Sequence, residues 1–184
     1  MPKNPNDAPI NAVRRSDRAE DDTWIQEFLE KSAVASLATV HDGQPFINSN
    51  LFYYDAGAHC VYIHTGRYGR TRSNIEGDDR ACLSVMEMGR LLPAEEALEF
   101  SVEYAGVTVF GSVRVVEDAD EAKRALQWLL DKYAPHLTPG ADYRPPVDEE
   151  LKRTSVFRLD IEAWSGKRKS VADDFPGAFW YEQG

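Results

Sequence analysis

The chain is short of most residue patterns that announce a reaction. Its two cysteines, Cys60 and Cys82, stand in separate strand-like runs with neither metal-ligand nor dithiol redox spacing, so buried, reduced thiols are expected. Its four histidines form no His-Glu-x-x-His or mixed His/Cys set, which argues against a metal site. There is no Gly-x-Ser-x-Gly elbow for a serine nucleophile, and no Gly-x-x-x-x-Gly-Lys-Ser/Thr loop for a nucleotide triphosphate. No apolar run approaches the ~18–20 residues a membrane helix needs. The opening Met1-Pro2-Lys3-Asn4-Pro5-Asn6 lacks the apolar core of a signal peptide, so a cytoplasmic protein without membrane partners is expected. Positive charge is scarce too: 21 Lys and Arg face 31 Asp and Glu, for a net charge of −10. A duplex nucleic-acid binder needs a basic face to displace counterions, so nucleic acid is not an expected partner and a small anionic ligand suits the chain better.

What is present reads as one β-rich domain. Across 184 residues, 42% are hydrophobic, enough for one ordinary core or for one protomer of an intimate dimer. Residues 1–21 are polar and aperiodic and read as an arm, either mobile or strapped across a partner subunit. Trp24, Ile25, Phe28 and Leu29 share a helical face, with Asp21, Asp22 and Thr23 available as N-cap. Strands are expected at Ala33–Val40 and Pro45–Tyr54, joined through the Asp42-Gly43 hairpin turn, then at Cys60–Thr65 and Ala81–Glu87. Two more are expected at Glu99–Tyr104 and from Val107 to Val115, with a bulge at Gly111. Residues Asp120–Tyr133 carry Ala122, Ala125, Leu126, Leu129, Leu130 and Tyr133 at helical spacing, a stripe read as core. A last strand, Ser155–Ile161, enters Trp164-Ser165-Gly166-Lys167. Six or seven strands with few helices suggest a mainly β, antiparallel barrel.

The most informative local feature is His64-Thr65-Gly66-Arg67-Tyr68-Gly69-Arg70-Thr71-Arg72. Three arginines, two hydroxyl side chains besides Tyr68 and two glycines follow an apolar strand, with no carboxylate between Ala56 and Ile75. That combination offers an anion both charge and backbone N–H groups. A solvated turn is the plain alternative, and the Gly66-Arg67-Tyr68-Gly69 likeness to a KH-domain clamp fails because the turn follows a strand in an acidic chain. A second basic run, Lys167-Arg168-Lys169, serves the same anion if the strand ends meet, and is otherwise ordinary surface. His64, beside the phosphate seat, is the candidate for proton transfer or hydrogen bonding near neutral pH, with a structural histidine as the alternative. Glu95-Glu96 and Glu149-Glu150 read as solvated charge. Residues 170–184, with Phe175, Phe179, Trp180 and Tyr181, read as an aromatic tail that packs on its own barrel or a partner, or walls a flat cofactor.

The order of Ala33–Val40, Pro45–Tyr54, Cys60–His64, Gly69-Arg70, Val107–Gly111 and Trp164–Lys167 resembles the pyridoxamine 5′-phosphate oxidase-like split-barrel superfamily. The tracts Glu99–Tyr104, Val109-Phe110-Gly111 and Leu151–Val156 make the chain most similar to its 5-nitroimidazole reductase (Nim) branch. The resemblance covers roughly Asp22 to Lys169, so that 22–169 would form the FMN-binding domain. It implies a homodimer with FMN at the interface, each flavin held mainly by one protomer and walled by the other. It also implies that Gly69, Arg70 and Thr71 hold the FMN phosphate, with Thr65 and Arg67 beside them and Lys167 in support. Asn48, Ser49, Asn50 and Leu51 would line the flavin, Trp164 would be a further contact, and His64 would take the place of the reactive histidine of Nim-like proteins. Many relatives carry lysine where this chain has Thr71, which shifts the load to Arg70, Arg67 or Arg72. The Arg-Leu-x-Pro ending of true pyridoxamine phosphate oxidases is missing, since the chain closes Phe179-Trp180-Tyr181-Glu182-Gln183-Gly184. Vitamin B6 oxidation is therefore disfavoured, and an FMN-dependent oxidoreductase acting on nitroaromatic or other small planar acceptors is expected. A binding protein for flavin, haem or deazaflavin on the same barrel is the alternative from another class.

Overall fold

The computed structural model describes residues 4–181; Met1-Pro2-Lys3 of the expected arm and Glu182-Gln183-Gly184 of the expected tail lie outside the described residues. The elements, in chain order, are β1 (Ala19–Glu20), α1 (Asp22–Lys31), β2 (Ala35–His41), β3 (Gln44–Asn50), β4 (Phe52–Asp55), β5 (Cys60–Gly66) and α2 (Arg70–Gly77). They continue with β6 (Arg80–Leu92), β7 (Ser101–Val115), α3 (Ala119–Tyr133), α4 (Asp148–Leu151) and β8 (Thr154–Lys169). One antiparallel sheet runs β3-β2-β6-β7-β8-β5-β4, with β1 paired to β8, so the mainly β split barrel holds. The strand count rises to eight because the end of the N-terminal segment pairs with β8 of its own chain, Ala19 opposite Lys167 and Glu20 opposite Gly166.

Local chemistry explains each boundary. The Asp21 carboxylate accepts from the Trp24 N–H at 2.9 Å and starts α1. Asp42 and Gly43 both have positive φ, 49° and 75°, the geometry of a primed turn between β2 and β3. The run Cys60-Val61-Tyr62-Ile63 is buried throughout because both faces of β5 are covered. Val61 and Ile63 join the barrel core with Phe52, Leu37, Leu83, Val109 and Phe157. Cys60 and Tyr62 pack outward under Ala122 and Ala125 of α3, forming a second core.

The structure corrects several expected spans. Pro45–Tyr54 is not one strand: it breaks at Leu51, where β3 hands over to β4. The Tyr133 hydroxyl pins that break, accepting from the Phe52 N–H at 3.0 Å and donating to the Ala33 carbonyl at 2.6 Å. The two strands expected between Glu99 and Val115 merge into β7, and the last strand runs on to Lys169, so the second basic run lies within it rather than after it. The bulge sits across the ladder from its expected position: Phe110 faces Ala163 while Gly111 faces Ile161, leaving Glu162 as the extra residue on β8. The stripe on α3 is core only at Ala122, Ala125 and Leu129; Leu126 and Tyr133 are half-buried and Leu130 is 38% exposed.

Two glycines are required by close approach. At Gly166 a Cβ would lie 2.7 Å from Ile25 Cγ1, because α1 packs directly onto β8 there. At Gly111 a Cβ would lie 1.9 Å from the Asp160 carbonyl oxygen, which is backbone and cannot swing away. Gly111→Ala should therefore lower stability by about 2–3 kcal/mol, read as a drop in the urea midpoint at unchanged slope.

Candidate functional site

One end of the barrel collects most of the residues singled out in the sequence. β5 ends at Gly66, the Arg67 N–H donates to the Arg153 carbonyl at 2.8 Å, and the chain turns into α2 at Gly69. No side chain caps α2, and its first backbone bond runs from Ser73 to Gly69, so the N–H groups of Arg70, Thr71 and Arg72 precede the intrahelical ladder. Ile75, Thr71 and Asn74 are buried and hold this helix to the barrel, with Thr71 5% exposed and Asn74 fully buried. The Asn74 side-chain amide donates to Thr39 Oγ1 at 3.0 Å. From β3, the Asn48 amide reaches Thr71 Oγ1 at 3.4 Å and Asn50 Oδ1 at 3.3 Å, while Asn50 donates to the Asn48 carbonyl at 2.9 Å. The amides of β3 and the start of α2 thus form one polar cluster. Ser49 points to the other face of β3, where its hydroxyl meets that of Ser36 at 3.1 Å.

The three arginines of the island are not equivalent. Arg72 is held by Glu76 at 2.7 Å, by the Ser155 hydroxyl at 2.9 Å and by Glu117 at 3.5 Å. Arg67 leans toward the Leu151 carbonyl at 3.5 Å and lines an opening of about 300 Å³ beside Tyr68, Gly69 and Ser73. Arg70 is exposed and makes no hydrogen bond or ion pair among the described residues. An arginine unengaged by protein carboxylates, at the positive end of a helix, is the group able to meet an anion without first breaking a contact.

His64 faces the other way. On β5 it follows Cys60 and Tyr62 on the face under α3, and it pairs with Val156 of β8. With Leu51, Leu126, Leu130, Tyr133 and Pro146 it lines a cavity of about 320 Å³ with mostly apolar walls. The imidazole stands open at the cavity mouth, yet enough protein surrounds it for lost hydration to lower its pKa below the ordinary value near 6.5. Burial thus favours its neutral form, able to accept a proton, donate a hydrogen bond or ligate a metal. Leu51 and His64 are among the residues the sequence singles out, whereas Tyr133 and Leu130 belong to the stripe that reads there as core. A tyrosine at the end of an otherwise aliphatic helical stripe is the signal that a polar anchor was needed there. Thr65, next on β5, turns its hydroxyl to the Gly66 carbonyl at 3.0 Å.

Trp164 and Lys167 are not brought to this end within one chain. Ser155 faces Thr65, whereas Lys167 faces Ala19 and Gly106. At about 3.3 Å rise per residue, that stretch of β8 spans roughly 35–40 Å if straight. Trp164 donates from Nε1 to Asp22 at 2.8 Å and stands edge-on to His59 at 4.6 Å, near the beginning of β5 rather than its end. Lys167 lines a separate cavity of about 310 Å³ with Ser84, Met86, Tyr104 and Val107. The expectation that Arg70 and Lys167 flank one anion when the strand ends meet fails inside a single chain. Among the described residues no cluster of His, Cys, Asp and Glu is arranged to hold a metal ion, and no helix is long and apolar enough to cross a membrane.

Comparison with known proteins now bears on this geometry. The family model described as pyridoxamine 5′-phosphate oxidase matches residues 21–168. No curated protein matches the chain. Among solved structures, the flavocytochrome Anf3 from Azotobacter vinelandii superposes with a TM-score of 0.76 at 23% identity, over 94% of this chain and 84% of that one. A FAD and heme binding protein from Mycobacterium smegmatis gives 0.74 at 24% identity, over 85% and 76%. A candidate 5-nitroimidazole antibiotic resistance protein from Bacteroides thetaiotaomicron gives 0.66 at 18% identity, over 81% and 84%. At these identities the likeness is one of fold.

The depressed basicity of His64 gives a direct check. In a nuclear magnetic resonance titration its imidazole should show a midpoint below the ordinary 6.5, and Leu130→Ala, which admits water to the same cavity, should move that midpoint up. A midpoint at or above 6.5 in the unaltered chain would contradict the burial argument.

Proposed function

The chain belongs to the pyridoxamine 5′-phosphate oxidase family, and on that premise we propose that it is an FMN-dependent oxidoreductase that reduces small planar acceptors, nitroaromatics among them. The observation that carries this reading is the uncapped start of α2 with Arg70 exposed beside it. The donors there fit a phosphate: charge from Arg70, backbone N–H groups from the first turn, and the Thr71 hydroxyl held in place by Asn48. Arg67 would flank the same group across its opening, and Arg72, already engaged by Glu76 and Ser155, would hold the turn rather than the ligand. Asn48 and Asn50 would offer amide hydrogen bonds along the ring edge, with Leu51 and Thr65 as neighbours. A bound flavin would supply the exchange of electrons with the acceptor. The protein's part would be to hold the phosphate, fix the ring, keep water from one face and place His64 for proton delivery.

Trp164 and Lys167 enter this reading only through a second copy of the chain. Ile47 and Met86 are 66% and 70% exposed on β3 and β6, and Met88 is also exposed, an apolar surface that supports a homodimer. In such a dimer the Lys167 end of one protomer would wall the α2 end of the other. The division into an arm over 1–21, a flavin domain over 22–169 and a tail over 170–184 belongs to the same proposal.

A second reading rests on one observation, the mostly apolar cavity with His64 at its mouth and Glu150 and Thr154 as its other polar lining besides Tyr133. A flat apolar macrocycle with an open coordination position, as in haem, suits that chemistry, with His64 as the ligand. The Azotobacter protein is described as a flavocytochrome and the Mycobacterium protein as binding FAD and heme. In this reading the α2 seat still takes the flavin.

Two experiments test the proposal. Arg70→Ala should weaken FMN binding by about tenfold or more, measured by fluorescence quenching, while Arg168→Ala changes it little; equal losses would place the phosphate elsewhere. His64→Ala should retain flavin yet lose nitro-reduction by about 10²-fold at pH values below the histidine's own midpoint, and that loss should shrink as the pH rises above it. If haem is the occupant of the cavity, the unaltered chain titrated with haemin should develop a sharp Soret band that His64→Ala lacks.

A further inference from the structure

The second basic run acquires different company from that expected. Ahead of β1, a short turn at Ser16–Arg18 sets Arg15 and Arg18 beside the end of β8. Together with Arg168 and Lys169 they line a cleft of about 390 Å³ that also holds Asp17, Glu20 and Ser170. Four cations therefore face two carboxylates, in a chain whose net charge is −10. The carboxylates are already spent in orienting arginines: Asp17 takes the Nε and Nη2 donors of Arg15 at 2.7 and 2.6 Å, and Glu20 takes Nε of Arg168 at 2.7 Å. Arg168 also lies over the Trp24 ring at 5.7 Å, and among the described residues its two terminal nitrogens make no hydrogen bond.

The arm is fixed as well as charged. β1 pairs with β8 through Ala19 and Glu20, and the Asn11 amide donates to the Trp164 carbonyl at 3.0 Å. Fixed guanidinium groups lose little freedom when they meet an anion. The cleft adjoins the Lys167 cavity, because Arg18 Nη1 donates to the Tyr104 hydroxyl at 3.3 Å and Tyr104 lines that cavity with Val85, Met86 and Val107. A basic cleft larger than a lone phosphate needs, beside an aromatic and apolar one, has the composition of a nucleotide site.

We propose that Arg15, Arg18, Arg168 and Lys169 form a second anion site, separate within the chain from the α2 seat, that takes the phosphate groups of an adenine nucleotide. The same chemistry has two sources: the adenosine diphosphate portion of a flavin dinucleotide, or the 2′-phosphate of a phosphorylated nicotinamide dinucleotide serving as electron donor.

The test is calorimetric titration of the full chain with ADP, 2′,5′-ADP and inorganic phosphate at ~50 mM salt, where screening is weak. At least one nucleotide should bind saturably, more tightly than about 1 mM and about tenfold more tightly than phosphate. Preference for ADP identifies the flavin-type source, and preference for 2′,5′-ADP the nicotinamide-type source. The double variant Arg18→Gln/Arg168→Gln, which keeps hydrogen-bonding side chains and removes charge, should weaken that nucleotide by tenfold or more. Independently of whether the variant folds, amide hydrogen exchange over Arg15–Glu20 in the unaltered chain should slow on adding the nucleotide. No saturable binding, phosphate binding as tightly as either nucleotide, a folded variant with unchanged affinity, or unchanged exchange in the arm would each overturn the proposal. Binding of FMN, which carries no adenosine diphosphate portion, read by fluorescence quenching on the same samples, reports on the α2 seat alone, so either site can fail without the other.

Discussion

The antiparallel pairing of β7 with β8 is the constraint on which the rest of this molecule is hung. It runs from Tyr104 opposite Lys169 to Val115 opposite Phe157, and its one irregularity is the extra residue Glu162 opposite Gly111. An alanine at 111 would drive a carbon into the Asp160 carbonyl, so the bulge and the glycine require each other. Before the bulge, β8 is held on its other edge by β5; after it, by β1. A strand that changes neighbours midway must bend, and the bulge supplies the bend. The Gly166 position, bare of side chain, then lets α1 close over that bent half of the sheet through Ile25 and Trp24.

From that ladder the two basic regions acquire their separation. Ser155, at the start of β8, receives the Arg72 guanidinium and donates its own hydroxyl to the Arg67 carbonyl at 3.2 Å, so the turn after β5 is tied to one end of the strand. Lys167, Arg168 and Lys169 are tied to the other. Cations that sit close together in composition counts are thus spread along the longest strand in the chain. The same logic sorts the arginines of the turn after β5: Arg72, bound to carboxylates and a hydroxyl, shapes the loop, and of the three Arg70 alone makes no side-chain hydrogen bond or ion pair among the described residues. Charge counted in a sequence overstates charge available to a ligand by the number of internal partners.

Much of the barrel was legible because its signals are local. The Asp42-Gly43 turn, the α3 stripe and the alternation of Val107, Val109 and Val113 depend on neighbours a few residues apart. The polar cluster of Asn48, Asn50 and Thr71 was legible only through a family likeness, since nothing local says that β3 and α2 meet. What could not be read was long-range. The break at Leu51 depends on a hydroxyl from Tyr133, more than eighty residues away, and the joining of Glu99–Tyr104 to Val107–Val115 depends on β6 and β8 supplying partners on both edges. The tail is the same case. Its backbone pairs at Phe179 with Leu91, with N···O distances of 2.7 and 3.1 Å, and Arg90 reaches the carbonyls of Val171, Ala172 and Asp173. Arg90 also makes a two-pronged bond to Glu103, at 2.8 and 2.9 Å, which together with the Val171 N–H holds the Glu103 carboxyl down at a pKa of about 2. The aromatic side chains of Phe179, Trp180 and Tyr181 are left exposed at the surface rather than packed on their own barrel.

Anion recognition at the two proposed places, in so acidic a chain, would have to act at short range. With a net charge of −10, the far field repels phosphate-bearing ligands and slows their approach. Near the surface the balance reverses, because fields beyond the ~8–10 Å Debye length are damped while an arginine at 3 Å is not. Moderate salt therefore acts in opposing directions, raising the association rate by screening the repulsion and weakening the contacts that follow. Selectivity is gained from this arrangement. By this argument a polyanion such as duplex nucleic acid would present its charge to the whole acidic surface, whereas a ligand carrying one or two phosphates on an apolar body would meet only a basic cleft. The Arg15–Asp17 and Arg168–Glu20 pairs would sharpen that choice further, since each carboxylate fixes its arginine while cancelling charge that would otherwise attract anions of every size.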